Sequence, residues 1–537
     1  MVTGMPKVAL VILIASFMTF AGCGGGGGGS NGGGGGPADT RAALLDTIST
    51  KFATFNGTNP DQENQEMLAF LRTKPEFVDS GLSDAGGVWG QFADGTTLVI
   101  ANNVDRNQTR AAGLQRSAPS KRSRAGGLPT TANIVIATAF GEFFDTANDG
   151  IAEIFAMQPY ERAQGGASVD ALKAMSNVGV LYLTSHGATS PIVRGGPPVY
   201  IVWTSTERAR DGSTDTKYAA DLHDGSMTYF MALAFQGDDE DSFRQRVEVH
   251  YGITSKFVEK YWTGAFNKNS VVFMNSCSSA GDSAQNFEFA CLNAGASVYL
   301  GWTRSVLIRD GIVSAAYFFD RLMGTNEYDD KETPPQRPFS YLPVLAEMGT
   351  RKRQNADTMY DASLNPHNNQ IAKLQFLTLN SEFGQLAPSI ESLAVDEQKD
   401  ELTVSGAFGD GRGEVFINNN RLTIKTWGAN RIVCTIPRSG SNASGNVVVR
   451  AAAPGQISNT VPLTEWAGNV KCTIDGQGTL QTVMNFHVHF RADVHDRRIQ
   501  PHETPFRLGS GYLHVLDSSG TYECSGVYVS PDGLSSE

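Results

Sequence analysis

Two reactive side chains close two strongly apolar runs of this chain. His186 follows Val178-Gly-Val-Leu-Tyr-Leu-Thr-Ser and is itself followed by Gly187, while Cys277 follows Ser270-Val-Val-Phe-Met-Asn-Ser. A thiolate attacks carbonyl carbon well, and a nearby imidazole helps to form it and later protonates a leaving amine. Taken singly, His186 reads as a satisfied strand-end histidine and Cys277 as a small buried apolar filler. Taken together, each at the last residue of a strand, they read as a nucleophile and its acid–base partner.

The elements that must position them follow from the same pattern. Short continuous apolar runs are strands buried on both faces, the mark of a parallel sheet. In open α/β sheets, ligands bind beyond the carboxyl ends of the strands, where such side chains would meet. Asn133-Ile-Val-Ile-Ala-Thr-Ala supplies a first buried strand. Helical patterns at Val169-Asp-Ala-Leu-Lys-Ala-Met and Ser255-Lys-Phe-Val-Glu-Lys-Tyr-Trp precede the strands of His186 and Cys277. Strands alternating with helices predict a mostly parallel sheet flanked by helices. Val199-Tyr-Ile-Val-Trp and Ser226-Met-Thr-Tyr-Phe predict a β excursion over the cleft, and a strand ending at Trp302 with a helix over Ile312 to Leu322 closes the core.

An apolar block ending in His-Gly, then a second ending in a small residue and Cys, resembles the cysteine peptidase clan of caspases, legumains, gingipains and clostripain. The turn Asn275-Ser276-Cys277-Ser278-Ser279 and the strand Gly295-Ala-Ser-Val-Tyr-Leu-Gly301-Trp302 are most similar to the bacterial gingipain-like branch, over about residues 130 to 385. The resemblance implies a caspase-like α/β sandwich and peptide-bond hydrolysis through an acyl-enzyme. It also implies Cys277 as nucleophile, His186 as general acid, and an oxyanion site built from the backbone N–H groups of Gly187 and Cys277. Trp302 is then expected as a wall of the substrate pocket and Asp282 as a partner for a cationic side chain, which would favour Arg or Lys at the cut. The rival reading is a non-catalytic surface protein that uses a peptidase-like fold and its β modules to hold a protein or glycan.

The N-terminus reads as an export signal, residues 1–22, with Lys7 ahead of the apolar run Val8 to Phe20. That run is short for a membrane span. Phe20-Ala21-Gly22-Cys23 is similar to a bacterial lipobox, whose cysteine is acylated; ordinary cleavage near Ala21 is the alternative. The glycine-rich segment 23–37 predicts a flexible tether of roughly 20 Å reach. An exported lipoprotein held at the outer membrane or cell surface, or in the periplasm, is therefore expected. The net charge of −12, with no basic stripe interleaved with aromatics, excludes a nucleic-acid partner.

Seven segments are expected along the multidomain chain. After the signal and tether come a small α+β unit at 38–104, with helices over Thr40 to Phe55 and Glu66 to Leu71 and a hairpin turning at Asp94-Gly95, and a basic linker at 105–131. That linker is either a processing site, which would make 38–104 a propeptide shielding the cleft, or a solvated spacer. The peptidase domain spans 132–386. Residues 387–465 show short strands at regular spacing, a β-sandwich pattern, and resemble the immunoglobulin-like IPT/TIG modules. A C-terminal β domain fills 466–537. Export makes a Cys472–Cys524 disulfide plausible, and Cys291 reads as helix packing. His487 and His489, with Asp493, His495 and Asp496 after them, could share a metal, but a solvated strand face is the expectation. No cofactor is implied; the acidic run Asp238-Asp-Glu-Asp241 could hold calcium but reads as a hydrated loop.

Overall fold

The computed structural model describes residues 37–55, 59–102, 127–140, 145–163, 166–236, 244–306, 308–328, 331, 336–354, 372–379, 383–396, 399–436 and 445–463. Beyond these it describes only the backbone of strands between 465 and 536.

The chain opens with α1 (Pro37–Phe52), α2 (Pro60–Arg72), β1 (Phe77–Leu82), β2 (Val88–Phe92) and β3 (Thr97–Ile100). After the linker come β4 (Asn133–Thr138), α3 (Asp145–Ala156), β5 (Glu161–Arg162), α4 (Val169–Lys173), β6 (Val178–Ser185), β7 (Gly187–Pro191) and β8 (Pro198–Glu207). Next are α5 (Ser213–Lys217), α6 (Ala219–His223), β9 (Met227–Gln236), β10 (Arg244–Ile253), α7 (Ser255–Tyr261) and β11 (Phe266–Ser276). The α/β part ends with α8 (Gln285–Asn293), β12 (Val298–Trp302), α9 (Ile308–Met323), α10 (Tyr341–Gln354) and β13 (Leu374–Leu377).

Two sheets organise this part. The first runs β13-β12-β11-β6-β4-β5 and is parallel except for β13. Its central strands are apolar on both faces, and alternate side chains enter different cores, as the two-residue period of a strand requires. Leu181, Leu183, Val272 and Met274 join one core with α7 and α8. Val180, Tyr182, Val271 and Phe273 join the other with α3, α9 and α10. The second sheet is mixed, in the order β1-β2-β3-β9-β10-β8-β7.

That second sheet differs from the expected self-contained N-terminal unit. β3 pairs in parallel with β9, Leu98 to Ile100 against Tyr229 to Met231. Leu44, Leu45, Ile48 and Phe52 of α1 and Met67, Leu68 and Leu71 of α2 are buried in the same core as Tyr229, Met231, Tyr251 and Ile253. The hairpin covers an edge of β9 that would otherwise expose unpaired backbone groups, so residues 77–100 and 187–253 form one sheet.

Residues 389–463 fold as two antiparallel four-stranded sheets. One comprises β14 (Ser389–Asp396), β15 (Glu401–Ala407), β18 (Thr423–Trp427) and β19 (Arg431–Thr435). The other comprises β16 (Glu414–Ile417), β17 (Asn420–Arg421), β20 (Gly445–Arg450) and β21 (Val461–Leu463). Leu402, Val404 and Ile432 of the first meet Val415, Ile417, Val447 and Val449 of the second, giving a sandwich. Beyond it, β22 (Glu465–Asp475), β23 (Gln481–Asp493), β24 (Phe506–Leu508) and β25 (Gly511–Ser519) make another antiparallel sheet.

The sandwich docks on the α/β part through specific bonds. Gln158 and Ile457 exchange a reciprocal pair, at 2.8 and 2.7 Å. Gln456 Nε2 donates to the Pro129 carbonyl and to the Tyr160 hydroxyl, and Tyr160 donates to the Leu386 carbonyl at 2.7 Å. Lys268, just inside β11, reaches Asp410 at 3.4 Å.

Candidate active site

β6 and β11 are parallel neighbours whose register runs from Val180↔Val271 to Ser185↔Ser276. The two chains therefore leave the sheet side by side, and the next residue on each is His186 and Cys277. Neighbouring strands lie about 4.8 Å apart, so the register alone juxtaposes the two backbones. At Gly187 the two chains come so near that a Cβ would stand 2.2 Å from the Cys277 carbonyl oxygen and 2.6 Å from Ser276 Oγ. Only glycine fits this contact without displacing backbone.

His186 is the hinge between the two sheets, ending the path of β6 and leading directly into β7. Its carbonyl accepts the Trp203 amide at 3.1 Å and the Ser185 hydroxyl at 3.0 Å. Gly187 is the register partner of Val202. Since the 186/203 pair is hydrogen-bonded, the 187/202 pair is of the non-bonded kind, and the Gly187 N–H is turned away from β8. Two residues on, the equivalent Thr189 N–H meets Ser83 Oγ at 3.2 Å, so the β1–β2 turn caps this edge. The His186 ring stacks on Trp203, with centroids 4.7 Å apart and planes at 25°, and meets the edge of Phe140 at 4.6 Å.

Cys277 is followed by a sharp turn. Ser278 has φ +56°, a conformation few non-glycine residues adopt and one that clusters at functional sites. The turn is pinned to the loop after β12: the Ser278 amide donates to the Arg304 carbonyl at 3.0 Å and the Ala280 amide to the Trp302 carbonyl at 2.7 Å. The Cys277 Sγ lies 3.7 Å from the Val306 carbonyl oxygen. Beneath it, Tyr200 donates to Ser276 Oγ at 2.8 Å, and burial holds the Tyr200 hydroxyl well above the usual phenol range. Both side chains of the pair are sheltered, His186 at 5% and Cys277 at 6% exposure.

The other predicted residues fall as follows. Trp302 is fully buried, and its indole N–H donates to Asn275 Oδ1 at 3.0 Å. It lies on the face of β12 shared by Val298 and Leu300, in the α3–α9–α10 core, so it supports the Cys277 strand from within and forms no open pocket wall. Asp282 is exposed, five residues past Cys277 in a 3-10 turn spanning Asp282–Ala284. Cys291 is buried in α8, its thiol pushed well up by burial and by Glu288; burial alone pushes Cys434 up to about 12. Cys23, the run at 238–241, and the side chains of Cys472, Cys524, His487, His489, Asp493, His495 and Asp496 lie outside the described residues. Among the described residues no group of three or more His, Cys, Asp or Glu side chains could hold a metal, and no helix is long and apolar enough to cross a membrane.

Phe140, Tyr200, Ser276 and Trp203 were not singled out as site residues from the sequence. The alternation in Val199-Tyr-Ile-Val-Trp held part of the signal, since it splits Tyr200 from Val199, Ile201 and Trp203, and the structure buries them in different cores.

No protein-family model matches this chain, and no curated protein matches it. Among solved structures, the chain is similar to gingipain R, an Arg-specific cysteine proteinase, at 10% identity and a TM-score of 0.26, covering 63% of this chain and 68% of that one. It is also similar to Gamma-CGTase from alkalophilic Bacillus clarkii, at 20% identity and a TM-score of 0.14, covering 21% of this chain and 18% of that one.

Proposed function

We propose that the chain is an exported cysteine endopeptidase, anchored through an acylated Cys23, whose catalytic pair is Cys277 and His186. The observation that carries this reading is the Ser185↔Ser276 register, which sets an imidazole-bearing and a thiol-bearing residue side by side at one sheet edge. The Cys277 thiolate attacks the substrate carbonyl carbon, forming a C–S bond, and the oxyanion is held by the N–H groups of Gly187 and Cys277. As the intermediate collapses, the C–N bond breaks and His186 gives its proton to the departing amine. Water then attacks the thioester, releasing the carboxylic acid and regenerating the thiol. An oxyanion donor of this kind is worth roughly 3 kcal/mol of barrier. The exposed Asp282 carboxylate would select a cationic side chain, so Arg or Lys is preferred at the cut.

The rival reading, a non-catalytic binding protein, draws support from the low exposure of both side chains. A thiol-reactive peptide probe separates the two. Covalent labelling that maps to Cys277 and is lost in Cys277→Ala supports the peptidase; labelling that persists in that variant, or none at Cys277, overturns it.

A further inference from the structure

The stack beside His186 has features that core packing alone does not require. Trp203 presents its indole face to the His186 imidazole at 4.7 Å and 25°. It also meets the ring of His250 at 4.4 Å and 72°. His250 is itself fixed at both nitrogens, by the Thr204 carbonyl at 2.8 Å and by Glu248 Oε2 at 2.9 Å. The Trp203 backbone is tied to the same hinge, its amide donating to the His186 carbonyl and its carbonyl accepting the Ser185 hydroxyl. Its indole Nε1–H is buried with no acceptor among the described residues. Buried tryptophans usually find one, so the position of this ring follows its faces and not its polar edge.

We propose that Trp203 is a positioning residue of the reaction: its indole face fixes the orientation of the His186 ring and stabilises the protonated imidazole by a cation–π contact. This deepens, and rests on, the assignment of His186 as the acid. A cation over an indole is favoured most when both are sheltered from water, as here. The titratable groups packed against the indole are His250 of β10 and, hydrogen-bonded to it, Glu248. The ring thus passes on their fixed geometry while keeping its own face on the imidazole.

The test is a titration of the His186 imidazole by NMR in the full chain carrying labelled histidine, with His186→Asn used to assign the signal. The expected result is a midpoint lowered by about 0.4 to 1.5 pH units in Trp203→Leu, and by less in Trp203→Phe, which keeps a weaker π face. In parallel, kcat on a fluorogenic peptide should fall with KM little changed, and Trp203→Phe should restore part of it. Because Trp203→Leu could fail to fold, Trp203→Phe decides alone in that case. A His186 midpoint that is unchanged or raised in the folded variants overturns the proposal. The titration needs no turnover, so loss of the peptidase reading through a Cys277-independent activity remains a separate outcome.

Discussion

Replacing Gly187 by alanine adds one methyl group where the β6–β7 junction presses on the turn after β11. That Cβ would lie 2.2 Å from the Cys277 carbonyl oxygen, 2.6 Å from Ser276 Oγ and 2.8 Å from Tyr200 Cε2. The hydroxyl can rotate away, but the carbonyl belongs to the backbone at the turn that carries the thiol. Restoring ordinary contact requires the β6–β7 junction and the end of β11 to part by about 1 Å. Overpacking of this kind costs about 1–3 kcal/mol of stability, and a 1 Å misplacement of reacting groups costs on the order of 100-fold in rate. The variant should therefore lose kcat/KM well beyond its loss in urea midpoint, measured on fluorogenic peptides with Arg or Lys at the cut. Gly195→Ala is the control: unlike Gly187, Gly195 has a positive φ, at +70°, and open space around its Cβ. It should cost about 1 kcal/mol through backbone strain alone and leave kcat/KM intact. A Gly187→Ala protein with both wild-type stability and wild-type kcat/KM would refute the claim that this contact sets the site.

Trp302→Phe removes the donor to Asn275 Oδ1 and strands a buried acceptor; a loss of about 1–3 kcal/mol is expected in urea unfolding. Asp221 accepts from Lys260 and Tyr261, both at 2.7 Å, and from Lys173, tying α4, α6 and α7 together. Burial raises its pKa, but the bonds from Lys173, Lys260 and Tyr261 outweigh this and hold it below the ordinary range. A lowered carboxyl pKa stabilises fully above its unfolded value, about 3.9, and the contribution is lost as pH falls through the folded value. The stability gap between wild type and Asp221→Asn should thus be widest near neutrality and close below about pH 4, as read from urea midpoints across pH. Cutting the basic linker at 105–131 should leave residues 37–102 bound to the rest through β3–β9 pairing and the shared core. Co-elution of the two pieces in size-exclusion chromatography without denaturant is expected, and their separation would contradict the shared sheet.

The strands that carry His186 and Cys277 were legible because each is a local, continuous apolar run, and the step from run to parallel strand needs no distant information. Their register was not legible, but once both strands lie in one sheet the two residues must emerge at the same edge. The joining of β1–β3 to β9 was hidden for a different reason: Leu98 meets Tyr229 across a long stretch of sequence, and nothing local marks which edge a hairpin will cover. Trp302 shows the opposite failure. Val298, Leu300 and Trp302 share one strand face, and following that period would have sent Trp302 to the core. The alternation in Val199-Tyr-Ile-Val-Trp separates Trp203 from Tyr200, but its stacking on His186 was not legible, since it depends on which residue of a distant strand pairs with Trp203.

The docked sandwich constrains how any target can be presented. Its bonds to the α/β part fall at Pro129, Gln158, Tyr160 and Lys268, all near where β4 and β11 begin, whereas the thiol stands where β11 ends. Eight residues of β6 separate those two poles, a span of about 26 Å at strand rise. A protein gripped by the sandwich would need at least that length of slack, extended chain before one of its peptide bonds could reach Cys277, which makes compact cargo a poor fit.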